Sequence, residues 1–309
     1  MKDFYQLQEE YIEYMKLLNR SKTTIRGHQF HLGKFFIFLK SYSLQNISDI
    51  HSEHILEHQK HLHYSENQYG RAHQVRYRNR HLAVIKGFFK YLKQTGYIVR
   101  DPAEETQYAK EPQTLPKPAL TNPEMKKLLK MPDTNTILGY RDRAILELLY
   151  SSGIRRSELL NLKLEEVDTE EGFLRVNLGK GAKDRIVPMG KIACKYLETY
   201  IKGIRPLIFK AKDLASLFVS KRGNPLSKNG LGEIIGKYAR ESGLQKHITT
   251  HTFRRSCATE MIKNKANLMH VKELLGHNSM DTIQAYCNLS IVDLKEAHRK
   301  CHPREKDEK

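Results

Sequence analysis

The second half of the chain holds charged residues whose types and spacing suit chemistry on a phosphate. Arg155 and Glu158 lie one helical turn apart in GIRRSELLNL, and Lys180 lies in the short segment GKGAKD. Each motif also has an ordinary structural interpretation without chemistry. An exposed Arg–Glu pair at this spacing stabilises a helix by only a few tenths of a kcal/mol, and Lys180 would then be a solvated charge in a turn. Neither motif decides the chemistry by itself.

Three further motifs follow in the order HTFR, GH and AY. His251 and Arg254 share one face of a predicted helix at spacing i, i+3, although the same spacing occurs again in residues 73–76. His277 follows a glycine at a predicted helix end, where capping or packing is the ordinary role. Tyr286 is one of 16 tyrosines. The combination and order of these residues therefore matter more than any single one.

Arg, Lys, His and Tyr together suit phosphoryl transfer by an oxygen nucleophile. The attack places negative charge on the non-bridging oxygens, and the guanidiniums of Arg155 and Arg254 are suited to bind that charge. The Tyr286 hydroxyl is protonated at neutral pH, and ionising it costs about 4 kcal/mol. His251 and the arginines supply the base and the positive field that lower this cost. Lys180 is suited to protonate the leaving 5′ oxygen.

The chain is strongly basic, with a formal net charge of +18 and a pI near 9.6. Residues 1–110 hold 17 basic and 11 acidic side chains, a net +6, and residues 111–309 hold 36 and 24, a net +12. Because each neutralised phosphate releases counterions, nucleic acid is the first partner to consider. A basic ribosome-associated protein or a merely soluble cationic protein is the alternative. The chain has no run of 18 apolar residues, and it begins MKDFYQLQEE, so we expect a cytosolic protein without contact to a membrane.

Histidines and cysteines raise the question of a metal site. His54, His58 and His61 share helical faces in HSEHILEHQKHLH, but no HExxH pattern or cysteine partner accompanies them. A solvated or DNA-facing helix surface is the favoured interpretation. The four cysteines lie at wide, irregular spacing that predicts reduced thiols: Cys194, Cys257, Cys287 and Cys301. The sequence thus predicts no metal.

The first hundred residues predict a helical domain. Apolar side chains at three- and four-residue spacing predict four helices, near residues 4–18, after the N-cap Ser21, at 52–63 and at 72–94. Gly96 is suited to end the fourth helix. We therefore expect a first domain at 1–103.

A proline-rich segment separates this domain from the next. DPAEETQYAKEPQTLPKPAL contains four prolines and little periodicity, which is typical of a linker, here assigned to 104–120. Thr121 and Glu124 then form a predicted capping box with Pro123 in the first turn. The second domain is expected to span 121–309.

The second domain is predicted to be mainly helical with one hairpin. Two β-rich runs, Phe173 to Leu178 and Arg185 to Met189, flank GKGAKD and would present Lys180 and Lys183 at the tip. Helices are predicted near 122–131, 139–152, 190–203, 228–241, 251–263, 267–275 and 280–287. The expected fold is mainly α, with two domains and a small antiparallel sheet.

Four runs in this domain resemble a known family. YSSGIRRSELLNL, GKGAKDRIVPM, HTFRRSCATEMI and LLGHNSMDTIQAY are similar to the four catalytic boxes of the tyrosine recombinases, or phage integrase family, and most closely to its Xer-type bacterial branch. The likeness extends over the helical first half, the junction LPKPALTNPEMKKLL and the tail DLKEAHRKCHPR. It implies a SAM-like, four-helix core-binding domain that binds DNA and an α+β catalytic domain, which grip opposite faces of a duplex.

The resemblance also implies a role for each motif residue. Tyr286 would be the nucleophile that forms a 3′-phosphotyrosyl bond, and Arg155 and Arg254 would hold the scissile phosphate. Lys180 would act as the general acid, and His251 would assist proton transfer.

Two further positions follow from the same resemblance. His277 would donate a hydrogen bond to the phosphate, and Glu158 would orient the site from behind. Neither metal nor ATP nor another cofactor is implied, because the covalent bond to DNA retains the energy of the broken phosphodiester.

The implied partner is double-stranded DNA with inverted half-sites. Two protomers would occupy one site and four would form the synapse, either copies of this chain or a related recombinase, and strand exchange would pass through a Holliday junction. The tail helix at 291–302 would dock on a neighbouring protomer, or else pack on its own domain.

Three rival functions remain at this point. They are a type IB topoisomerase, a DNA-binding regulator without catalysis and a metal-dependent nuclease. The sequence also leaves open whether the biological role is chromosome-dimer resolution, and so chromosome partition, or the integration and excision of a mobile element.

Overall fold

The computed structural model describes residues 2–42, 44, 46–112, 119–177, 184–208 and 215–276. The chain divides into two compact units, Met1–Leu115 and Pro116–Lys309. Both are mainly helical, and the described part of the second contains a small antiparallel sheet. The predicted fold class is confirmed. The finer boundaries drawn from the sequence stay a prediction.

The described part of the first unit is built from α1 (Phe4–Leu17), α2 (Lys22–Lys40), α3 (Ser52–Tyr64) and α4 (Val75–Gln94), with a short 3-10 turn at Ile47–Asp49. Ser21 caps α2, as predicted, because its hydroxyl accepts a hydrogen bond from the Thr24 backbone N–H at 3.1 Å. Gly96 lies just beyond α4 with φ +79°, the left-handed conformation that ends helices. Local rules therefore account for where these two helices begin and end.

Aromatic side chains of α2 and α4 fill the core of the first unit. Phe35 and Phe36 on α2 and Phe88 and Phe89 on α4 are fully buried. The rings of Phe36 and Phe88 meet edge to face, with centroids 5.8 Å apart. This is a favoured arrangement for aromatic pairs, and it stabilises the packing of α2 against α4.

The histidine-rich helix α3 corrects one prediction. His58 is 2 % exposed and shares the buried face of α3 with Ile55 and Leu62. Its Nε2 lies 3.2 Å from Nε2 of the buried His81 on α4, and Nδ1 of His81 lies 3.3 Å from Nδ1 of His31 on α2. The predicted solvated or DNA-facing surface is therefore wrong for His58, because the packing of α3 on α4 covers this face.

The described part of the second unit contains α5 (Asn122–Leu129), α6 (Ile137–Ser152), α7 (Arg156–Asn161), α8 (Lys191–Thr199), α9 (Arg205–Ile208), α10 (Lys228–Glu241), α11 (Thr250–Lys263) and α12 (Leu268–Leu275). A π-helical turn at Tyr200–Ile204 joins α8 to α9. The capping box before α5 is confirmed, since Thr121 and Glu124 each accept the other's backbone N–H. The six-residue α7 was not predicted, because so short a helix shows no periodicity. The helix predicted at 280–287 lies outside the described residues.

The sheet places strands β1 (Val167–Asp168), β2 (Phe173–Val176) and β3 (Arg185–Pro188) in that order, all antiparallel. The predicted hairpin is confirmed, and its register pairs Val176 with Arg185 and Leu174 with Val187. The predicted tip with Lys180 and Lys183 lies outside the described residues. Leu174, Val176 and Val187 are buried, so Arg185 points to the same inner face of the hairpin.

A second core lies between this sheet and the helices of the second unit. Leu146 and Leu149 of α6, Tyr200 and Phe253 are among its fully buried members. Within the described ranges, no helix has the length and apolar character needed to cross a membrane.

Candidate active site

The turn between α6 and α7 places Arg155 at the edge of the second core. Gly153 ends α6 in the left-handed conformation, with φ +59°. A Cβ at this position would lie 2.8 Å from Cδ2 of Leu275 and 3.4 Å from Sγ of Cys257. The chain then turns through the buried Ile154, and Arg155 becomes the N-cap of α7. Glycine is required here both by backbone conformation and by space.

Glu158 is the centre of an ion-pair network. Its Oε2 accepts the Arg155 backbone N–H at 2.7 Å, and its Oε1 accepts Nη1 of Arg155 at 2.7 Å. Arg185 binds the same carboxylate with both terminal nitrogens, at 3.0 and 2.9 Å. The Glu158 side chain is only 5 % exposed. The alternative of an ordinary exposed pair is therefore wrong for this residue.

The two arginines hold the Glu158 carboxyl in its charged form. Burial by itself raises the pKa of Glu158, but the hydrogen bonds from Arg185 and then Arg155 outweigh this and lower the pKa to about 2. The carboxylate therefore remains ionised at neutral pH. Three of its four accepted hydrogen bonds come from guanidinium nitrogens and fix the orientation of both guanidiniums.

Arg254 enters the same region from α11. It is a buried residue, and its Nη1 donates to the Gly153 carbonyl at 2.7 Å while its Nη2 donates to the Leu275 carbonyl at 2.5 Å. Phe253, the preceding residue on α11, is fully buried in the second core. The helix is therefore anchored where Arg254 reaches both the α6–α7 turn and the end of α12.

Three arginines meet the carbonyl end of α12. Nε of Arg185 donates to Leu274 O at 3.1 Å, Nη2 of Arg254 donates to Leu275 O, and Nη2 of Arg155 donates to Gly276 O. The last carbonyls of a helix lack intrahelical partners and carry the negative end of its dipole. Positive side chains are therefore stabilised there, and the site assembles around the residue that precedes His277.

His251 lies one turn before Arg254 on α11 and is exposed. Partial burial, followed by the positive charges of Arg156, Arg254 and Arg255, lowers the pKa of His251 below its ordinary value. The imidazole is therefore neutral at pH 7 and able to accept a proton.

The family of the chain follows from comparison with known proteins. The model of the phage integrase family matches residues 118–291. The chain belongs to the phage integrase family. It is 34% identical over 297 residues to tyrosine recombinase XerD of Staphylococcus aureus (strain Mu50), an alignment that covers 96% of this chain and 98% of that protein. It is 39% identical over 226 residues to the XerD protein of Listeria innocua serovar 6a, over 73% of this chain and 75% of that one.

These relatives make the chain a Xer-type tyrosine recombinase, an enzyme that transfers DNA strands in site-specific recombination. The crystal structure of the XerH site-specific recombinase bound to its difH substrate matches with a TM-score of 0.68 at 22% identity. That alignment covers 95% of this chain and 83% of the other. At this identity the match supports the two-domain integrase fold alone.

The structure brings together part of the residue set expected for a tyrosine recombinase. Arg155 and Arg254 meet at the end of α12, Glu158 binds Arg155, and His251 shares a helix with Arg254. Several expected positions lie outside the described residues, namely Lys180, His277, Tyr286 and the tail helix at 291–302.

Arg185 was missed by the sequence interpretation. Its signal was present: in the predicted strand it shares an inward-facing register with Val187 and Met189, and a charged residue on such a face requires a partner. Nothing in the local sequence identified that partner as Glu158, 27 residues earlier.

The described part of the chain contains candidate metal ligands and two thiols. Among those residues, no group of three or more His, Cys, Asp or Glu side chains is arranged to hold a metal ion. Cys194 and Cys257 are free thiols, and burial raises the pKa of Cys257 to about 11. Cys257 is therefore protonated and a poor nucleophile.

Proposed function

We propose that this recombinase cuts and rejoins DNA through Tyr286, with Arg155 and Arg254 binding the scissile phosphate. The supporting observation is that these arginines, from motifs far apart in the chain, donate to consecutive carbonyls at Gly276 and Leu275. Ten residues separate that point from Tyr286 in the sequence. The positive cluster thus lies at the start of the segment that carries the proposed nucleophile.

The proposed reaction is one exchange of oxygen at phosphorus. The Tyr286 oxygen attacks, a tyrosine–phosphorus bond forms, and the bond from phosphorus to the 5′ oxygen breaks. The proton of the tyrosine passes to neutral His251, and Lys180 donates a proton to the leaving 5′ oxygen. The guanidiniums of Arg155 and Arg254 stabilise the charge on the non-bridging oxygens.

Two residues support this step without exchanging bonds. His277 donates a hydrogen bond to the phosphate, and Glu158 holds Arg155 by two contacts. Attack by the 5′ hydroxyl of another strand reverses the step and rejoins the DNA. Because the phosphotyrosyl bond conserves the energy of the phosphodiester, neither ATP nor a metal ion is required.

The proposed substrate is double-stranded DNA with two inverted half-sites, bound by two protomers per site and by four in the synapse. The neighbouring protomers are copies of this chain or a related recombinase, and two successive exchanges pass through a Holliday junction. The net charge of +18 supports binding to a polyanion. XerH, a protein of similar fold, is bound to its difH substrate in the pre-cleavage complex.

Covalent trapping tests the nucleophile. Protein taken from its own cell is denatured, and the DNA that stays bound to it is sequenced. The recovered site is then placed in a nicked duplex, which releases a short strand after cleavage. The wild-type chain is expected to form a covalent adduct and to do so in EDTA. Tyr286→Phe is expected to bind the duplex normally and to form none, because it lacks the attacking oxygen. Tyr64→Phe, at a tyrosine that is 81 % exposed, is the matched control and should react normally.

A different nucleophile and the two rival enzymes each predict a different result. An adduct that survives Tyr286→Phe would identify a different nucleophile and overturn the proposal. Loss of cleavage in EDTA would indicate a metal-dependent nuclease, and relaxation of supercoiled plasmid without recombination at any site would indicate a topoisomerase. The sequence of the recovered site distinguishes chromosomal dimer resolution from the movement of an element.

A further inference from the structure

We infer that Arg185 is a positioning residue of this site, which holds Glu158 and the end of α12 so that Arg155 remains available to the DNA phosphate. The inference rests on the proposed function of Arg155 and Tyr286. It adds a third guanidinium, from the hairpin, to the two that the motifs predicted.

The contacts of Arg185 fix it on three sides. Its two terminal nitrogens bind both oxygens of Glu158, at 3.0 and 2.9 Å, and its Nε binds Leu274 O at 3.1 Å. The guanidinium is planar, so three hydrogen bonds in its plane determine its orientation and that of its partners. β3, α7 and α12 are thereby joined through one side chain.

Gly276 provides a second, independent observation. A Cβ at Gly276 would lie 3.1 Å from each of Cζ, Nε and Nη1 of Arg185. Equal distances to three atoms mean that the face of the guanidinium lies against the glycine Cα. Gly276 also has φ +62°, which ends α12. The glycine before His277 therefore leaves room for the Arg185 side chain.

Charge explains why a third arginine is useful. Arg155, Arg185 and Arg254 carry +3 and Glu158 carries −1, which leaves a formal +2 at the site. Without Arg185, Glu158 would pair with Arg155 alone and cancel its charge, and the sum would fall to +1. Arg185 thus compensates Glu158 and leaves the charge of Arg155 for a phosphate.

Exposure separates the roles of the two arginines on Glu158. The Arg155 side chain is 37% exposed, whereas that of Arg185 is 12% exposed. Arg155 is therefore the one that solvent and substrate reach, and Arg185 supports it from behind. Lys180 precedes Arg185 by five residues in the sequence, so this contact also anchors the strand that follows the proposed general acid in the chain.

The test separates the rate of cleavage from the affinity for DNA. Arg185→Met and Arg185→Lys are compared on the nicked duplex described above, at saturating protein, by the first-order rate of adduct formation. We expect Arg185→Met to lower this rate at least about 30-fold, as small misplacements of reacting groups do. Arg185→Lys restores the charge but not the planar fork, so its rate should remain at least about tenfold low. Dissociation constants, measured in chains that also carry Tyr286→Phe, should change less than about threefold because Arg185 does not bind DNA.

Arg175→Met is the matched control. Arg175 lies on β2 in the same hairpin, on the exposed face, and the structure assigns it no contact with Glu158. Its rate of adduct formation at saturation should stay within about twofold of wild type, since the arrangement of Arg155 is untouched.

Several results would overturn the inference. They are a normal rate for Arg185→Met, full recovery by Arg185→Lys, or a defect that appears only in the dissociation constant. Thermal melting reports whether each variant folds. If Arg185→Met does not fold, the rate measured for Arg185→Lys alone decides whether the inference holds. An adduct formed by Tyr286→Phe would refute the proposed function itself, whereas its absence together with normal Arg185 variants would refute only this inference.

Discussion

A histidine followed three residues later by an arginine occurs in both units, but the two arginines differ in burial and contacts because their surroundings differ. Arg254, three residues after His251, is buried and donates to two backbone carbonyls. Arg76, three residues after His73, has a side chain that is 80% exposed and pairs with Glu111. A buried guanidinium that donates to backbone carbonyls has a fixed orientation, whereas a solvated guanidinium is a mobile surface charge.

The environment of His251 predicts how cleavage depends on pH. Its pKa lies below 6.5, so the imidazole is neutral above that pH and gains a proton as pH falls through its pKa. A base that is protonated cannot accept the tyrosine proton, so adduct formation should be level near neutral pH and decline on the acid side. His251→Gln should lower the rate about 100-fold, as loss of a general base does, and remove the acid decline.

The measurement is the rate of adduct formation on the nicked duplex between pH 5 and 8. His247→Gln, on an exposed histidine before α11, is the control and should keep the wild-type profile. If the decline in rate at acid pH persists unchanged in His251→Gln, a group other than His251 titrates and the prediction is wrong.

At the scale of elements, the site depends on where helices end. The carbonyl end of α12 binds Arg155, Arg185 and Arg254, and the end of α6 supplies the Gly153 carbonyl to Arg254. Backbone groups left unpaired at helix termini thus become the ligands that orient charged side chains. The tight turn at Gly153 is what brings the two ends together.

Gly153→Ala tests this turn. Alanine at this position would have to keep φ +59°, and its Cβ would lie 2.8 Å from the buried Leu275 side chain. Left-handed strain and overpacking together should lower the free energy of unfolding by about 2–4 kcal/mol. Movement of the Gly153 carbonyl should also slow adduct formation, because Arg254 loses its acceptor.

Gly172→Ala is the matched control for backbone strain. Gly172 has φ +74°, but its Cβ would make only an ordinary 3.5 Å contact with Met189 O. Urea unfolding should show a loss of about 1 kcal/mol from the left-handed conformation, with no effect on cleavage. Equal effects of the two variants on stability and rate would contradict the role assigned to the turn.

At the scale of the whole molecule, the two units have separate cores and different sensitivity to acid. The first unit buries His31, His58 and His81 in one connected group. Nδ1 of His58 is buried without a hydrogen-bond partner among the described residues. Burial lowers the pKa of all three, with Arg80 and then His28 adding to the effect at His31. The folded unit therefore requires neutral imidazoles.

Acid should destabilise the first unit selectively. The unfolded histidines titrate near pH 6.5, so their contribution to stability is fully present above that pH. Below it the unfolded chain binds more protons than the folded one, and the free energy of unfolding falls by up to about 1.4 kcal/mol per pH unit for each histidine that stays neutral in the folded unit. The folded pKa of His31 is about 4, so the loss should be large between pH 6.5 and 4.

Hydrogen exchange on the full chain, corrected for the intrinsic effect of pH on amide exchange, measures this difference. Peptides from α4 should lose protection between pH 7 and pH 5, while peptides from α11 in the second unit should change less. Equal loss in both units would show that the buried histidines are not the cause. A first unit as protected at pH 5 as at pH 7 would contradict the prediction outright.

The sequence by itself determined the longer helices, the hairpin and the family. Periodicity, Ser21, Thr121 and Gly96 defined helices and their ends, because capping and hydrogen bonding within a turn involve only nearby residues. The hairpin followed from alternating apolar residues on either side of GKGAKD. Four motifs in the expected order were sufficient to identify the family, because they contain the residue types that the reaction requires.

Only the tertiary structure decided which side chains meet and which are buried. Arg155 reaches a carbonyl 121 residues away, and Arg185 reaches one 89 residues away. The burial of His58 likewise depends on α4, which follows it in the chain. Such contacts are set by the packing of whole helices and strands around a shared core, and local sequence does not encode that geometry.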